Sequence, residues 1–147
     1  MSAQPARGAV LAFDFGEKRI GVAVGEIELA IPHALTVIAA EDNERRFAAI
    51  AALVTEWRPV QLVVGVASHA DGSEHETGRL ARRFGQRLTG RFGLPVDFID
   101  ERLTSHAAEA ALRESGVRAD KRAALLDAAA AAEILRTWFE ASPKQAA

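Results

Sequence analysis

The sequence predicts a single α/β domain that is built on a mixed five-stranded sheet. Two nearly continuous apolar runs, residues 10–15 and 60–66, are typical of central strands that helices cover on both faces. The patterns along the chain give three strands, a helix, a strand, a helix, a strand and two final helices. This order predicts a meander of three antiparallel strands, extended by two parallel strands and flanked by helices.

The composition is that of one globular domain. The 147 residues are 49% hydrophobic and 26% charged, and this length is enough for a core of its own. There are no cysteines, which excludes a disulfide framework, a thiolate metal site and a cysteine nucleophile. No apolar run reaches the roughly 18 residues that a membrane span needs. We therefore expect a cytoplasmic protein that does not enter a membrane.

The ends of the chain differ from its middle. We expect residues 1–8 to be a flexible polar lead and not a signal peptide, because no apolar run follows their one Arg. Residues 9–141 form the predicted domain, and residues 142–147 are expected to be a disordered tail. The formal net charge of −2 argues mildly against nucleic-acid binding, for which a basic balance is common. The placement of the charges therefore matters more than their sum.

The first strand carries a carboxylate inside an apolar run. Asp14 is costly there unless it is paired, hydrogen-bonded or bound to a cation. It is either a satisfied Asp at the end of a hairpin or a metal ligand at the centre of the sheet. Gly16, Gly21 and Gly25 lie in the following turn and strand, where they would let a phosphate or sugar backbone approach closely. These glycines favour the metal interpretation.

Residues 14–25, DFGEKRIGVAVG, resemble the first motif of the YqgF family, also called RuvX. That family comprises bacterial Holliday junction resolvases and pre-16S ribosomal RNA nucleases, and the resemblance implies an RNase H-like fold. The motif also resembles the first phosphate-binding loop of the actin, sugar-kinase and Hsp70 ATPases, which share the strand arrangement. The remainder of the chain has to distinguish between these classes.

Helical periodicity predicts a first helix with Asp42 as its N-cap and an end before Pro59. Arg46 lies off its apolar stripe. That stripe consists of Phe47, Ile50, Ala51, Val54 and Trp57.

The second predicted helix, residues 77–92, carries the densest positive charge in the chain. Its arginines form either a solvated face, which is the commoner case, or a track for phosphates. We expect Arg82, Arg83 and Arg87 to contact nucleic acid. The five arginines are Arg79, Arg82, Arg83, Arg87 and Arg91.

The predicted fifth strand, residues 96–100, ends in two adjacent carboxylates, Asp100 and Glu101. Neighbouring residues of a strand point to opposite sides, so only one of the two is expected to share a site with Asp14. Residues 100–105, DERLTS, strongly resemble the Asp-Glu-Arg-Leu-Thr-Thr motif of the same family, and the ATPases have nothing like it. Thr104 is also a plausible N-cap for the next helix.

The last predicted helix, residues 120–141, places Asp127 at the head of an apolar row with Ala131, Ile134 and Trp138. A surface helix does not usually place a carboxylate there. Asp127 is either a metal ligand or a partly exposed residue near the helix start, where the dipole favours it. The resembled family has a Lys and then an Asp with paired alanines here, which matches Lys121, Asp127 and residues 128–129.

The resemblance covers residues 11–139 and implies a metal-dependent nuclease. Asp14, Glu101 and Asp127 are the expected catalytic carboxylates and metal ligands, with Asp100 as the secondary candidate for Glu101. Oxygen ligands and the lack of Cys favour Mg²⁺ or Mn²⁺, and two such ions can together hold a phosphodiester. The remaining expected contacts to phosphate or nucleic acid are Lys18, Arg19, Arg102, Thr104 and Lys121.

Two other functions stay open at this point. A non-catalytic RNA- or DNA-binding assembly factor would keep the arginines and not need three carboxylates. An ATPase or phosphotransferase would usually need two such domains to enclose a nucleotide, and a second Gly-rich phosphate loop is missing. The sequence does not select between precursor ribosomal RNA, branched DNA and single-stranded DNA as partners. A four-way junction would favour a two-fold homodimer.

Overall fold

The computed structural model describes residues 7–66, 76–100 and 119–141 of the chain. The side chains of Thr77 and of residues 119–126, which include Lys121, lie outside this description. Glu101, Arg102 and Thr104 also lie outside it, as do the predicted tail 142–147 and most of the predicted N-terminal lead. The elements are β1 (Ala9–Asp14), β2 (Ile20–Glu26), β3 (His33–Ile38), α1 (Asn43–Trp57), β4 (Gln61–Val66), α2 (Glu76–Phe92), β5 (Val96–Asp100) and α3 (Ala119–Ala141).

The five strands form one mixed sheet in the order β3-β2-β1-β4-β5. Strands β1, β2 and β3 pair antiparallel, while β4 pairs parallel with both β1 and β5. The predicted meander with two added parallel strands is therefore confirmed. Strand β1 lies at the centre, with antiparallel pairing to β2 on one side and parallel pairing to β4 on the other.

The sheet separates two hydrophobic cores. Leu11 and Phe13 of β1 pack with α1 and α2, whereas Val10 and Ala12 pack with α3. This alternation follows from the strand geometry, in which successive side chains point to opposite faces. Because both faces are covered, β1 and β4 need apolar residues at successive positions, and this explains their continuous apolar runs.

Helix α1 begins where the sequence predicts, but the burial of two of its residues differs from the prediction. Asp42 is the N-cap, and its Oδ1 accepts a hydrogen bond from the backbone N–H of Arg45 at 2.8 Å. Trp57 is the last residue of α1 and is 37% exposed, so its prediction as a core residue was wrong. Arg46, which the periodicity placed off the core stripe, is only 4% exposed. The reason is a set of backbone carbonyls that bind its guanidinium.

The backbone of helix α3 lies directly against Gly21 of β2. A Cβ atom built on Gly21 would lie 1.9 Å from the backbone oxygen of Asp127 and 3.0 Å from the backbone nitrogen of Ala128. Real Cβ atoms do not come so close to backbone, so the helix can occupy this position only because residue 21 has no side chain. Gly21 therefore determines how near the polypeptide at Asp127 comes to β2.

Replacement of Gly21 by Ala should push α3 away from the sheet. The clash is between a new methyl group and backbone, and neither can move to a different rotamer. We expect the free energy of unfolding to fall by about 1–3 kcal/mol or more, measured by urea unfolding. Gly90→Ala in α2 is the matched control, because its added Cβ would meet nothing within 4 Å. That variant should be neutral or gain up to about 1 kcal/mol from helix propensity, and equal behaviour of both variants would contradict the close contact.

Candidate active site

Asp14 is the last residue of the central strand. It lies opposite Gly21 on one neighbouring strand and Gly65 on the other. The alternation that sends Val10 and Ala12 towards α3 places the half-buried side chain of Asp14 on the same face. The carboxylate is therefore at the carboxyl edge of the sheet, between two residues that add no side chain of their own.

Asp127 of α3 lies at the same edge. Its backbone oxygen faces Gly21, and residues directly opposite in an antiparallel pair have Cβ positions roughly 5 Å apart on one face. Asp14 and the polypeptide at Asp127 therefore flank Gly21 on the α3 side of the sheet. Asp127 is about two turns beyond Ala119, where the helix begins, and the dipole effect fades within the first turn. Stabilisation by the helix dipole therefore does not explain why a carboxylate lies at position 127.

The carboxylate of Asp127 is paired with Arg19. The Nε of Arg19 donates to its Oδ2 at 2.6 Å, and the two side chains are 46% and 24% exposed. Arg19 immediately precedes β2, so this bond connects the turn between β1 and β2 to α3. It uses one of the five N–H donors of a guanidinium, and a phosphate can share the same group. The predicted metal ligand and the predicted phosphate contact are thus brought together.

Arg46 fixes that turn from the other side. Its Nη2 donates to the backbone oxygen of Gly16 at 2.7 Å and to that of Glu17, and its Nε donates to the backbone oxygen of Ala40 at 2.5 Å. The guanidinium carbon also lies 5.4 Å from the ring centre of Phe15. Burial lowers the pKa of Arg46, and the nearby carboxylates of Glu41 and Glu17 oppose this shift. A buried cation in a cluster of carbonyls holds the turn that carries Lys18 and Arg19.

Asp100 lies on the other face from Asp14. In β5, Phe98 packs with the α1–α2 core and Ile99 with the α3 core, so Asp100 continues the alternation towards α1 and α2. Asp100 pairs with Val66 of β4, which separates it from β1 by a whole strand. The α3 face of β5 carries Asp97, whose Oδ2 accepts a hydrogen bond from Nε1 of Trp138 at 2.7 Å.

The arginines of α2 divide into two groups. Arg82 lies 5.1 Å from the ring centre of Phe98, and Arg91 lies 4.3 Å from that of Phe47, distances at which a cation is attracted to the ring. Arg79 pairs with Glu76.

Arg83 and Arg87 are exposed, are one helical turn apart and line a cavity beside the β1–β2 turn. Of the three arginines that were predicted to contact phosphate, Arg82 lies over an aromatic ring, whereas Arg83 and Arg87 line the cavity.

The donors at this edge suit a hard cation. Asp14 and Asp127 supply carboxylate oxygens, and Mg²⁺ or Mn²⁺ prefers such ligands while keeping several of its waters. Within residues 7–66, 76–100 and 119–141, no group of three His, Asp or Glu side chains comes close enough to hold a metal ion. The described edge therefore offers two carboxylates, and Glu101 is the third candidate beyond it.

The five-stranded mixed sheet with its flanking helices is an RNase H-like fold. A solved structure of this fold is Thermus thermophilus RuvC in complex with a Holliday junction, which is 20% identical with a TM-score of 0.58 over 91% of this chain and 94% of that chain. The profile of the RuvX family, described as Holliday junction resolvase, matches residues 8–141, and the chain belongs to this family.

Curated relatives are similar over nearly their full length. A protein of Dechloromonas aromatica named "Putative pre-16S rRNA nuclease" is 64% identical over 90% of this chain and 91% of its own length. A protein of the same name from Methylobacillus flagellatus is 52% identical over 94% of each chain. The chain is accordingly a nuclease, a hydrolase that binds nucleic acid, and nucleases of this kind generally depend on divalent metal ions. No helix in the described part of the chain is long and apolar enough to cross a membrane.

Arg46→Met should loosen the turn that carries Lys18 and Arg19. The variant keeps an apolar side chain for the core and leaves three backbone carbonyls to find other partners. We expect a loss of about 1–3 kcal/mol in the free energy of unfolding, and a loss of cleavage at temperatures where the variant is fully folded. Arg45→Met is the matched control, because that side chain is 81% exposed and should change stability by less than about 0.5 kcal/mol. Equal effects of the two variants would show that the buried contacts do not hold the turn.

Proposed function

We propose that this nuclease hydrolyses phosphodiester bonds at the carboxyl edge of β1, with Asp14, Glu101 and Asp127 as its catalytic carboxylates. The observation that carries the proposal is the contact at Gly21. It puts the central-strand carboxylate and the α3 residue on one face, at the edge where α/β sheets bind ligands. Two Mg²⁺ or Mn²⁺ ions held there would activate a water molecule and stabilise the leaving oxygen.

The basic residues around this edge would hold the substrate. Lys18 and Arg19 lie in the turn directly after β1 and are exposed, so they are placed to contact a phosphate beside Asp14. Arg102, Thr104 and Lys121 match the motifs of the family and are proposed to contact phosphates on the same side. The bond between Arg19 and Asp127 would keep the guanidinium and the carboxylate in a fixed relation as the substrate binds.

Glu101 is the better candidate than Asp100 for the third carboxylate. The alternation of β5 directs Asp100 to the α1–α2 face, opposite to Asp14. We propose that the alternation continues into Glu101, which would then point to the α3 face as Ile99 does. Glu also has the longer side chain and reaches further from the end of a strand.

The natural substrate is proposed to be precursor 16S ribosomal RNA at its 5′ end, branched DNA, or both. The names of the relatives and of the family support these two substrates, and both reactions would take place in the cytoplasm. Arg83 and Arg87, together with Arg82 over Phe98, would contact the phosphates of the flanking strand. Cleavage of a four-way junction would favour a two-fold dimer, because two active sites would then face two strands.

The proposal is tested by cleavage assays with the wild type and Asp14→Asn. Precursor ribosomal RNA, a four-way junction and a single strand are each incubated with Mg²⁺ or Mn²⁺. Wild type should cleave at least one of them only with metal, and Asp14→Asn should abolish cleavage with little loss of binding, since it removes a charge and keeps the shape. Binding without metal-dependent cleavage by wild type would instead indicate a non-catalytic assembly factor.

Melting curves supply a readout that does not depend on activity. Metal at 100 times its dissociation constant stabilises a folded protein by about 2.7 kcal/mol, so the wild type should melt higher with Mn²⁺ than without it. Asp14→Asn and Asp127→Asn should both respond less. Asp127→Asn also removes the ion pair with Arg19, and this loss by itself should lower the free energy of unfolding by only about 0–1 kcal/mol. A full metal response and normal cleavage in Asp127→Asn would remove that residue from the site.

Glu101→Gln and Asp100→Asn separate the two carboxylates after β5. Glu101→Gln should abolish cleavage, because the charge that holds the metal is lost, whereas Asp100→Asn should retain most of the activity. Rates are measured under single-turnover conditions with saturating enzyme, so that binding does not mask the result. Full activity in Glu101→Gln together with loss in Asp100→Asn would reverse the assignment.

A further inference from the structure

A cavity lies on the opposite side of the sheet edge from Asp14 and Asp127. It has a volume of about 250 Å³ and lies between the β1–β2 turn, the start of α1 and the exposed side of α2. Phe15, which lines it, follows Asp14 directly in the chain, and adjacent residues point to opposite faces. A polynucleotide that crosses the edge beside Asp14 therefore has this cavity within reach of the neighbouring nucleotide.

The lining combines three kinds of chemistry. Its floor is apolar, with Leu80 and two Phe rings, and the ring centres of Phe15 and Phe84 are 5.1 Å apart. Arg83 and Arg87 provide positive charge on the α2 side, and neither makes an ion pair with another residue in the described ranges.

The opposite wall provides acceptors and an amide. Glu17 and Glu41 are exposed carboxylates, and Asn43 adds both a donor and an acceptor. Arg46 forms the base of this wall, and its bonds to the carbonyls of Gly16 and Glu17 fix the wall in place. The cavity is therefore preformed, and its polar groups face each other across an apolar floor.

These three chemistries exclude the simpler ligands. A bare phosphate would be repelled by the two carboxylates, and a simple cation would be repelled by the two guanidinium groups. A purely apolar ligand would leave the carboxylates and the guanidinium groups unpaired. A nucleotide has a flat apolar face, an edge of hydrogen-bonding groups and an anionic phosphate, and so it matches all three. The volume is below the roughly 300–1,000 Å³ of pockets for drug-sized molecules, which limits the occupant to one unpaired nucleotide.

We propose that this cavity, between the β1–β2 turn and the Arg83–Arg87 side of α2, binds one unstacked base of the nucleic-acid substrate next to the scissile phosphate. The inference rests on the proposed function, because it concerns the strand that the active site cleaves. It implies that the substrate is single-stranded or splayed at this position, since a paired base cannot leave its helix without unpairing.

The test maps cleavage of end-labelled single strands that contain one abasic residue at successive positions. The cleaved bond reports how each strand was bound, so no fixed alignment is needed. The wild type should cut the bond at one constant offset from the abasic residue about 5- to 150-fold more slowly than in the intact strand, which is the range for loss of one stacked base. Cleavage at all other bonds should be unchanged.

Asn43→Trp fills the cavity from an exposed position at the start of α1. It should slow cleavage of the intact strand and abolish the offset effect. Glu44→Trp is the matched control, because that neighbour is also exposed and does not line this cavity, and it should keep the wild-type pattern. Cleavage by wild type with no offset effect, or an undiminished effect in Asn43→Trp, would overturn the cavity assignment alone. Absence of any metal-dependent cleavage by wild type would overturn the proposed function.

Discussion

The contact between the backbone of α3 and the bare Cα of Gly21 is the constraint on which the rest of the site depends. The backbone of a helix packed on a sheet is normally kept away from the backbone of the strands, because side chains from both layers lie between them. Here one of those layers is missing at a single residue, and the oxygen of Asp127 occupies the space. Because Gly21 is the cross-strand partner of Asp14, this backbone contact lies beside the only carboxylate of the central strand.

A second constraint acts on the turn after β1. Arg19 bonds to Asp127 on one side of this turn, and Arg46 bonds to its carbonyls on the other. Burying a guanidinium is costly, and three carbonyls with a ring face offset that cost only while the turn keeps its conformation. The turn is therefore held between α3 and α1, and the position of Lys18 follows from both contacts.

The elements could be predicted from the sequence because each depends on a local pattern. Apolar runs, alternation and the Asp42 cap identified the strands and α1, and the strand order confirmed the expected sheet. The burial of Arg46 could not be predicted in this way. Its environment is built from Ala40, just before α1, and from Gly16 and Glu17, which are 30 and 29 residues away in the sequence. Side-chain type alone predicts that an Arg is exposed. The prediction for Trp57 was wrong for the converse reason, because an apolar residue at the last position of a helix need not face the core.

The candidate site was predicted as a set of residues and not as an arrangement. The sequence indicated that one of two adjacent carboxylates should share a face with Asp14, but only the packing of Phe98 and Ile99 shows that Asp100 points to the other face. The same alternation separates Asp14 from Phe15 at the end of β1. Asp14 and the polypeptide at Asp127 therefore lie on the α3 side of the edge, and the aromatic floor of the cavity lies on the α1–α2 side. A nucleic-acid strand that contacts both the carboxylates and the cavity must pass over the edge of the sheet. A rigid duplex, with its bases stacked inside, cannot place a base on one side of this edge and the adjoining phosphate on the other.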